Sequence, residues 1–146
     1  MATRTARTAW SGTLNEGSGQ VELSSSGTGT FDVSFPRRTA DQAEGVTSPE
    51  ELIAAAHTSC FAMQFSGLLG KAGGTPEQVE VTADVTVSPV SDGLQISKIA
   101  LKVRGYASGV DEETFRKTAE EAKDTCPVSV ALKNVPEMTL DVEYEG

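Results

Sequence analysis

Hydrophobic and polar positions alternate with a period of two across the first third of the chain. Trp10 in TARTAWSG, Val21 and Leu23 in QVELSSSG, and Phe31, Val33 and Phe35 in TFDVSF mark three short antiparallel strands, separated by Gly, Ser and Asn at residues 15–19 and 24–30. The following segment, PRRTADQAEGVT, is polar and aperiodic, so it is expected to be a surface loop of the kind that often carries functional side chains.

From Ser48 the period changes. Ser48 reads as a helix N-cap, Pro49 as the first helical residue and Glu51 as the acidic member of a capping box. The helix body, ELIAAAHTSCFAMQFSGLLG, lacks a polar face, because charge stops at Glu51 and resumes only at Lys71. Such a helix is expected to be buried, in the core or against a second subunit. Gly73 and Gly74 end it. Val79, Val81, Ala83, Val85 and Val87 then alternate with Glu80, Thr82, Asp84 and Thr86, which predicts a strand with one wet face. An Asp92-Gly93 turn leads into Leu94, Ile96, Ile99, Leu101 and Val103, where the phase slips at Ser97-Lys98, as a bulge in a hairpin produces. Asp111 to Lys123 reads as a surface helix with Phe115, Ala119 and Ala122 on its apolar face, and Pro127 opens another short helix. Met138, Leu140, Val142 and Tyr144 form a closing strand. With no internal repeat and no linker, residues 1–146 are expected to form a single domain of the α+β class.

Composition narrows the function. At 38% hydrophobic and 23% charged residues the chain can build one core without a metal or disulfides. No uninterrupted apolar run approaches the ~20 residues that cross a bilayer, and the start, MATRTARTAWSG, lacks the apolar region of a signal peptide, so a cytoplasmic protein without a membrane partner is expected. A net charge of −9, with no basic cluster beyond Arg37 and Arg38, argues against binding nucleic acid. One histidine, His57, and two distant cysteines, Cys60 and Cys126, do not make the closely spaced ligand set of a zinc site.

The two thiols are the informative residues. Cys60, in the apolar helix, is by itself compatible with ordinary packing. Cys126 precedes Pro127, and is either an unremarkable turn residue or a helix N-cap whose surroundings favour thiolate. Arg37, Arg38, Glu44 and Glu50 are solvated surface groups or, where a guanidinium held by a carboxylate approaches a sulfur, groups that tune a thiol. His57 lies three residues before Cys60, so it either pairs with that thiol or is a core histidine.

SPEELIAAAHTSCFAM and DTCPVSVALK resemble the two cysteine motifs of the OsmC/Ohr family of thiol-dependent peroxidases, with the family's spacing between them. The resemblance extends to the Trp-containing first strand and to the TADVTV, ISKIALKV and LDVEY strands, and is nearer the OsmC branch. It implies an OsmC-like fold, in which antiparallel sheets of about six strands surround a long buried central helix, assembled as an intertwined homodimer with active sites at the interface. It further implies reduction of organic hydroperoxides, and more weakly hydrogen peroxide, in defence against oxidative or osmotic stress. Cys60 would be the peroxidatic thiol, Cys126 the resolving thiol, Glu50 the catalytic glutamate and Arg38 the catalytic arginine. No cofactor is implied, only an external dithiol reductant in a role similar to that of lipoylated proteins. A thiol redox sensor and a non-catalytic binder of small ligands are the alternatives.

Overall fold

The alternating segments pair as strands and the segment from Pro49 coils as a helix. The computed structural model describes residues 1–146, in the order β1 (Arg7–Ser11), β2 (Ser18–Glu22), β3 (Thr30–Val33), α1 (Phe35–Arg38), α2 (Pro49–Lys71), β4 (Thr75–Val90), β5 (Gly93–Ser108), α3 (Glu112–Thr125), α4 (Pro127–Ala131) and β6 (Glu137–Tyr144). Its six strands lie in two sheets. The chain divides into two compact units, Met1–Leu52 and Ile53–Gly146.

In the first unit β1, β2 and β3 form an antiparallel meander, with Trp10 opposite Gly19 and Val21 opposite Phe31. The expected strand residue Phe35 begins α1 instead, so the segment expected to be loop opens with a turn of helix. Ser34 caps that turn, its Oγ accepting the Arg37 N–H at 3.3 Å, and Pro36 supplies a preset φ in the first turn. At the start of α2, Ser48 Oγ accepts the Glu51 N–H at 3.1 Å, half of the expected capping box. The Glu51 carboxylate accepts instead from Thr47 Oγ1.

In the second unit β4, β5 and β6 form a sheet with β5 central. Alternate residues Ile99, Leu101, Val103 and Ala107 of β5 are buried against Phe61, Phe65 and Leu69 of α2 and Phe115 of α3. Phe65 meets Phe115 edge to face at 5.0 Å between centroids, and Phe115 meets Tyr144 at 5.3 Å, so α2, α3 and β6 share an aromatic row. Ser97 is the extra residue where the β4–β5 register slips. Gly73, at φ +89°, closes α2 in the left-handed conformation.

Two expectations are corrected here. β6 runs parallel to β5, not antiparallel, from Lys98 opposite Glu137 to Gly105 opposite Tyr144. α3 and α4 lie between the two strands, and a long helical crossover is what a parallel pair requires. α2, in turn, has 23 residues and holds an 18-residue stretch with a mean hydropathy of 1.3, enough by length and composition alone to cross a bilayer. Isolated polar residues such as Thr58, Ser59 and Gln64 break the apolar run without lowering its average much. Within one chain the helix buries one face and leaves the other uncovered, which the expectation of burial in the core or against a second subunit allows. His57, Phe61, Phe65 and Leu69 face the core, whereas Ala55, Ala56 and Ser59 are exposed and Met63 is 75% exposed.

Candidate active site

The adjacent arginines have separate partners. Arg38, at the end of α1, holds Glu50 in a fork: Nη2 donates to Oε1 at 2.7 Å, and Nε lies 3.1 and 3.2 Å from Oε1 and Oε2. Glu50 is in the first turn of α2 and only 6% exposed, so the guanidinium neutralises a carboxylate largely withdrawn from water. Arg37 Nη2 pairs instead with Glu44 Oε2 at 2.8 Å, within a more exposed loop where Glu44 adopts φ +49°. The choice between Arg37 and Arg38, open in the sequence, is resolved as far as pairing with Glu50 goes. A largely apolar cavity of about 370 Å³ lies in the same unit, with Trp10, Val21, Phe35 and Leu52 among its walls and Arg38 at its edge.

In the second unit, Cys60 and Cys126 meet as free thiols. Cys126 occupies the junction between α3 and α4 and is fully buried, which removes the reading of it as a solvent-side turn residue. Cys60 is half-buried and lies close enough to the Cys126 side chain and to the backbone N–H of Val128 for both to act on its titration. Burial pushes the Cys60 thiol up from its ordinary value and the Cys126 contact adds to this, while the Val128 N–H opposes it. No group of this unit, on its own, turns Cys60 into a low-pKa thiolate.

His57 does not make the Cys–His pair. Its Nε2 lies 2.7 Å from Ser129 Oγ, its Nδ1 has no partner in the protein, and burial holds its pKa below the ordinary value. Ser129 was not among the residues the sequence points to, since 72 positions separate it from His57. The Val128 amide was also missed, as a backbone donor leaves no residue-type signal. Gln64 Nε2 donates to Thr125 Oγ1 at 2.9 Å, a second tie between α2 and the segment that carries Cys126. Arg38 with Glu50, and Cys60 with Cys126, are the two pairs of expected residues that come together, one pair in each unit.

The family model for OsmC-like protein matches residues 41–141, which include Glu50, Cys60 and Cys126. The chain is 42% identical over 137 residues to peroxiredoxin OsmC of Escherichia coli (strain K12), covering 94% of this chain and 93% of that protein. Its fold matches the crystal structure of an organic hydroperoxide resistance protein from Elizabethkingia anophelis with a TM-score of 0.79 at 25% identity, over 99% of this chain and 98% of the other. An organic hydroperoxide resistance protein OsmC from Legionella pneumophila matches in fold with a TM-score of 0.73 at 23% identity, over 98% of each chain.

Proposed function

The chain belongs to the OsmC-like family, and from that premise we propose that it is a cysteine-based peroxidase that reduces organic hydroperoxides, and more weakly hydrogen peroxide, to alcohol and water. The observation that carries this reading is the contact between two free thiols, Cys60 half-accessible and Cys126 fully buried. That asymmetry suits a thiol that meets the substrate and a thiol that waits behind it. The name of the 42% identical relative and that of the Elizabethkingia structure agree with it.

In the proposed cycle the Cys60 thiolate attacks the terminal oxygen of R–O–OH, the O–O bond breaks, and the alkoxide takes up a proton to leave as alcohol. Cys60 is left as a sulfenic acid. The Cys126 sulfur then attacks Cys60 Sγ, the hydroxyl departs as water, and a disulfide joins the two. An external dithiol, of the type lipoylated proteins carry, reduces that disulfide and is itself oxidised. Arg38, oriented by Glu50, supplies the positive charge that favours thiolate and the developing alkoxide. The apolar cavity beside Arg38 suits an organic rather than an ionic substrate.

The site is proposed to form in a homodimer. Support comes from the uncovered face of α2, where Ala55, Ala56 and Met63 are exposed on a helix of high hydropathy. Its proposed location is the cytoplasm, where a dithiol reductant can keep the two cysteines reduced between turnovers. Steady-state consumption of cumene hydroperoxide with dihydrolipoamide tests the function. Sustained turnover is expected. A single stoichiometric oxidation would instead indicate a redox sensor, and no reaction a binding protein.

A further inference from the structure

Three residues on one face of α2, His57, Cys60 and Gln64, face three residues around the α3–α4 junction: Ser129 in α4, Cys126 at the junction and Thr125 at the end of α3. Spacings of three and four residues place His57 and Gln64 one turn to either side of Cys60. Each flanking residue hydrogen-bonds across, His57 to Ser129 at 2.7 Å and Gln64 to Thr125 at 2.9 Å, and the thiols meet between them. The His57–Ser129 bond is buried. Since Nδ1 is unpartnered, and a buried lone pair left unpaired costs less than a buried N–H left unpaired, the geometry assigns the proton to Nε2 and the acceptor to Ser129 Oγ.

We propose that His57–Ser129 and Gln64–Thr125 form a two-point clamp that holds Cys126 in register with Cys60, so that disulfide formation outruns further oxidation of the Cys60 sulfenic acid. The proposal rests on the reading of Cys126 as the resolving thiol. Cys126 has no side-chain cap bond at α4, and that helix is a single short turn. Its backbone N–H reaches Ala122 O at the end of α3, so the chain itself links Cys126 to α3, and the side-chain bonds to α2 are what register it against Cys60. A sulfenic acid that is not met by its partner thiol proceeds with a second hydroperoxide molecule to sulfinic acid, releasing a second alcohol. His57, Gln64, Ser129 and Thr125 act through the thiols and are positioning residues.

The experiment treats the reduced full chain with increasing cumene hydroperoxide and weighs the products by intact mass, as disulfide (two hydrogens lost) or sulfinate (two oxygens gained). Wild type is expected to yield disulfide. Ser129→Ala and Gln64→Ala are each expected to shift the ratio of disulfide to sulfinate by about fivefold, what one lost hydrogen bond is worth. His57→Gln, which keeps a donor near the Nε2 position, is expected to retain more disulfide than His57→Ala. Unchanged ratios in folded Ser129→Ala and Gln64→Ala would overturn the clamp while leaving the peroxidase reading intact. Failure of wild type to form any disulfide with the hydroperoxide would overturn the peroxidase reading instead. The clamp is then judged by equilibration with oxidised and reduced glutathione, where the same variants should form the Cys60–Cys126 disulfide about fivefold less readily, and equal equilibria would overturn it.

Discussion

Arg38 grips both carboxylate oxygens of Glu50, while Arg37, one residue earlier, turns to Glu44. α1 produces this divergence, because successive residues on a helix point about 100° apart. The two arginines are therefore not interchangeable.

Arg38→Ala leaves the Glu50 carboxylate withdrawn from water without its cation. It is expected to lower unfolding free energy by about 1–3 kcal/mol, below the range for a fully buried pair because the guanidinium is partly hydrated. Arg37→Ala breaks a more exposed pair and is expected to cost less than about 0.5 kcal/mol. Urea unfolding of both variants measures the difference. Peroxide consumption should fall strongly for Arg38→Ala and little for Arg37→Ala. A larger loss at Arg37 would show that the arginine serving the thiol is the other one.

How far the sequence could be read follows from what each feature writes into it. Period-two alternation made the strands visible, and the phase slip at Ser97 exposed the bulge, because a one-residue insertion moves every later side chain to the other face. α1 was invisible, because four residues are too few to show a helical period and Phe35 continued the strand pattern. Alternation carries no direction, so β6 read as antiparallel although the two helices before it favoured a parallel return. Cys60, Cys126, Glu50 and the arginine pair were legible through family motifs. The bond between His57 and Ser129 was not, since nothing local in either segment specifies a contact across 72 positions.

The thiols should fail in different ways. Cys60→Ser is expected to abolish turnover and any first oxidation. Cys126→Ser should keep the first oxidation at Cys60 and then accumulate sulfenic and sulfinic forms, seen as added oxygen in intact mass. Equal and complete loss of the first oxidation in both variants would reverse or erase the assigned roles.

Acid should loosen the contact between α2 and α4. Burial lowers the His57 pKa from 6.5, so between that value and the folded one the unfolded chain binds a proton that the folded chain refuses. The stability tied to neutral His57 is complete above the unfolded pKa and is lost as pH falls through the folded pKa. A charged ring would also place a second N–H, on Nδ1, where it has no acceptor. His57→Gln cannot charge, so its melting temperature is expected to drop less than that of wild type between pH 7.5 and pH 5. Comparing the two drops cancels the carboxylate titrations common to both proteins. Equal drops would show that His57 charges without cost.

The last prediction concerns which chain supplies the glutamate. α2 is unbroken from Pro49 to Lys71, so Glu50 does not fold back along its own helix toward Cys60. Ten residues of α-helix separate the two backbone positions by about 15 Å along the axis and leave their side chains roughly 80° apart around it. A glutamate that serves the thiol is therefore expected from the partner subunit, with two α2 helices antiparallel across a two-fold axis and two equivalent sites per dimer. Glu50→Ala and Cys60→Ser are each expected to be inactive as homodimers. After an equal mixture exchanges subunits, about half the dimers are heterodimers with one intact site each, so about a quarter of wild-type activity should return. Recovery would require both residues to meet across the interface. No recovery, with exchange verified by native mass spectrometry, would place the functional glutamate and thiol in the same chain and refute the shared site.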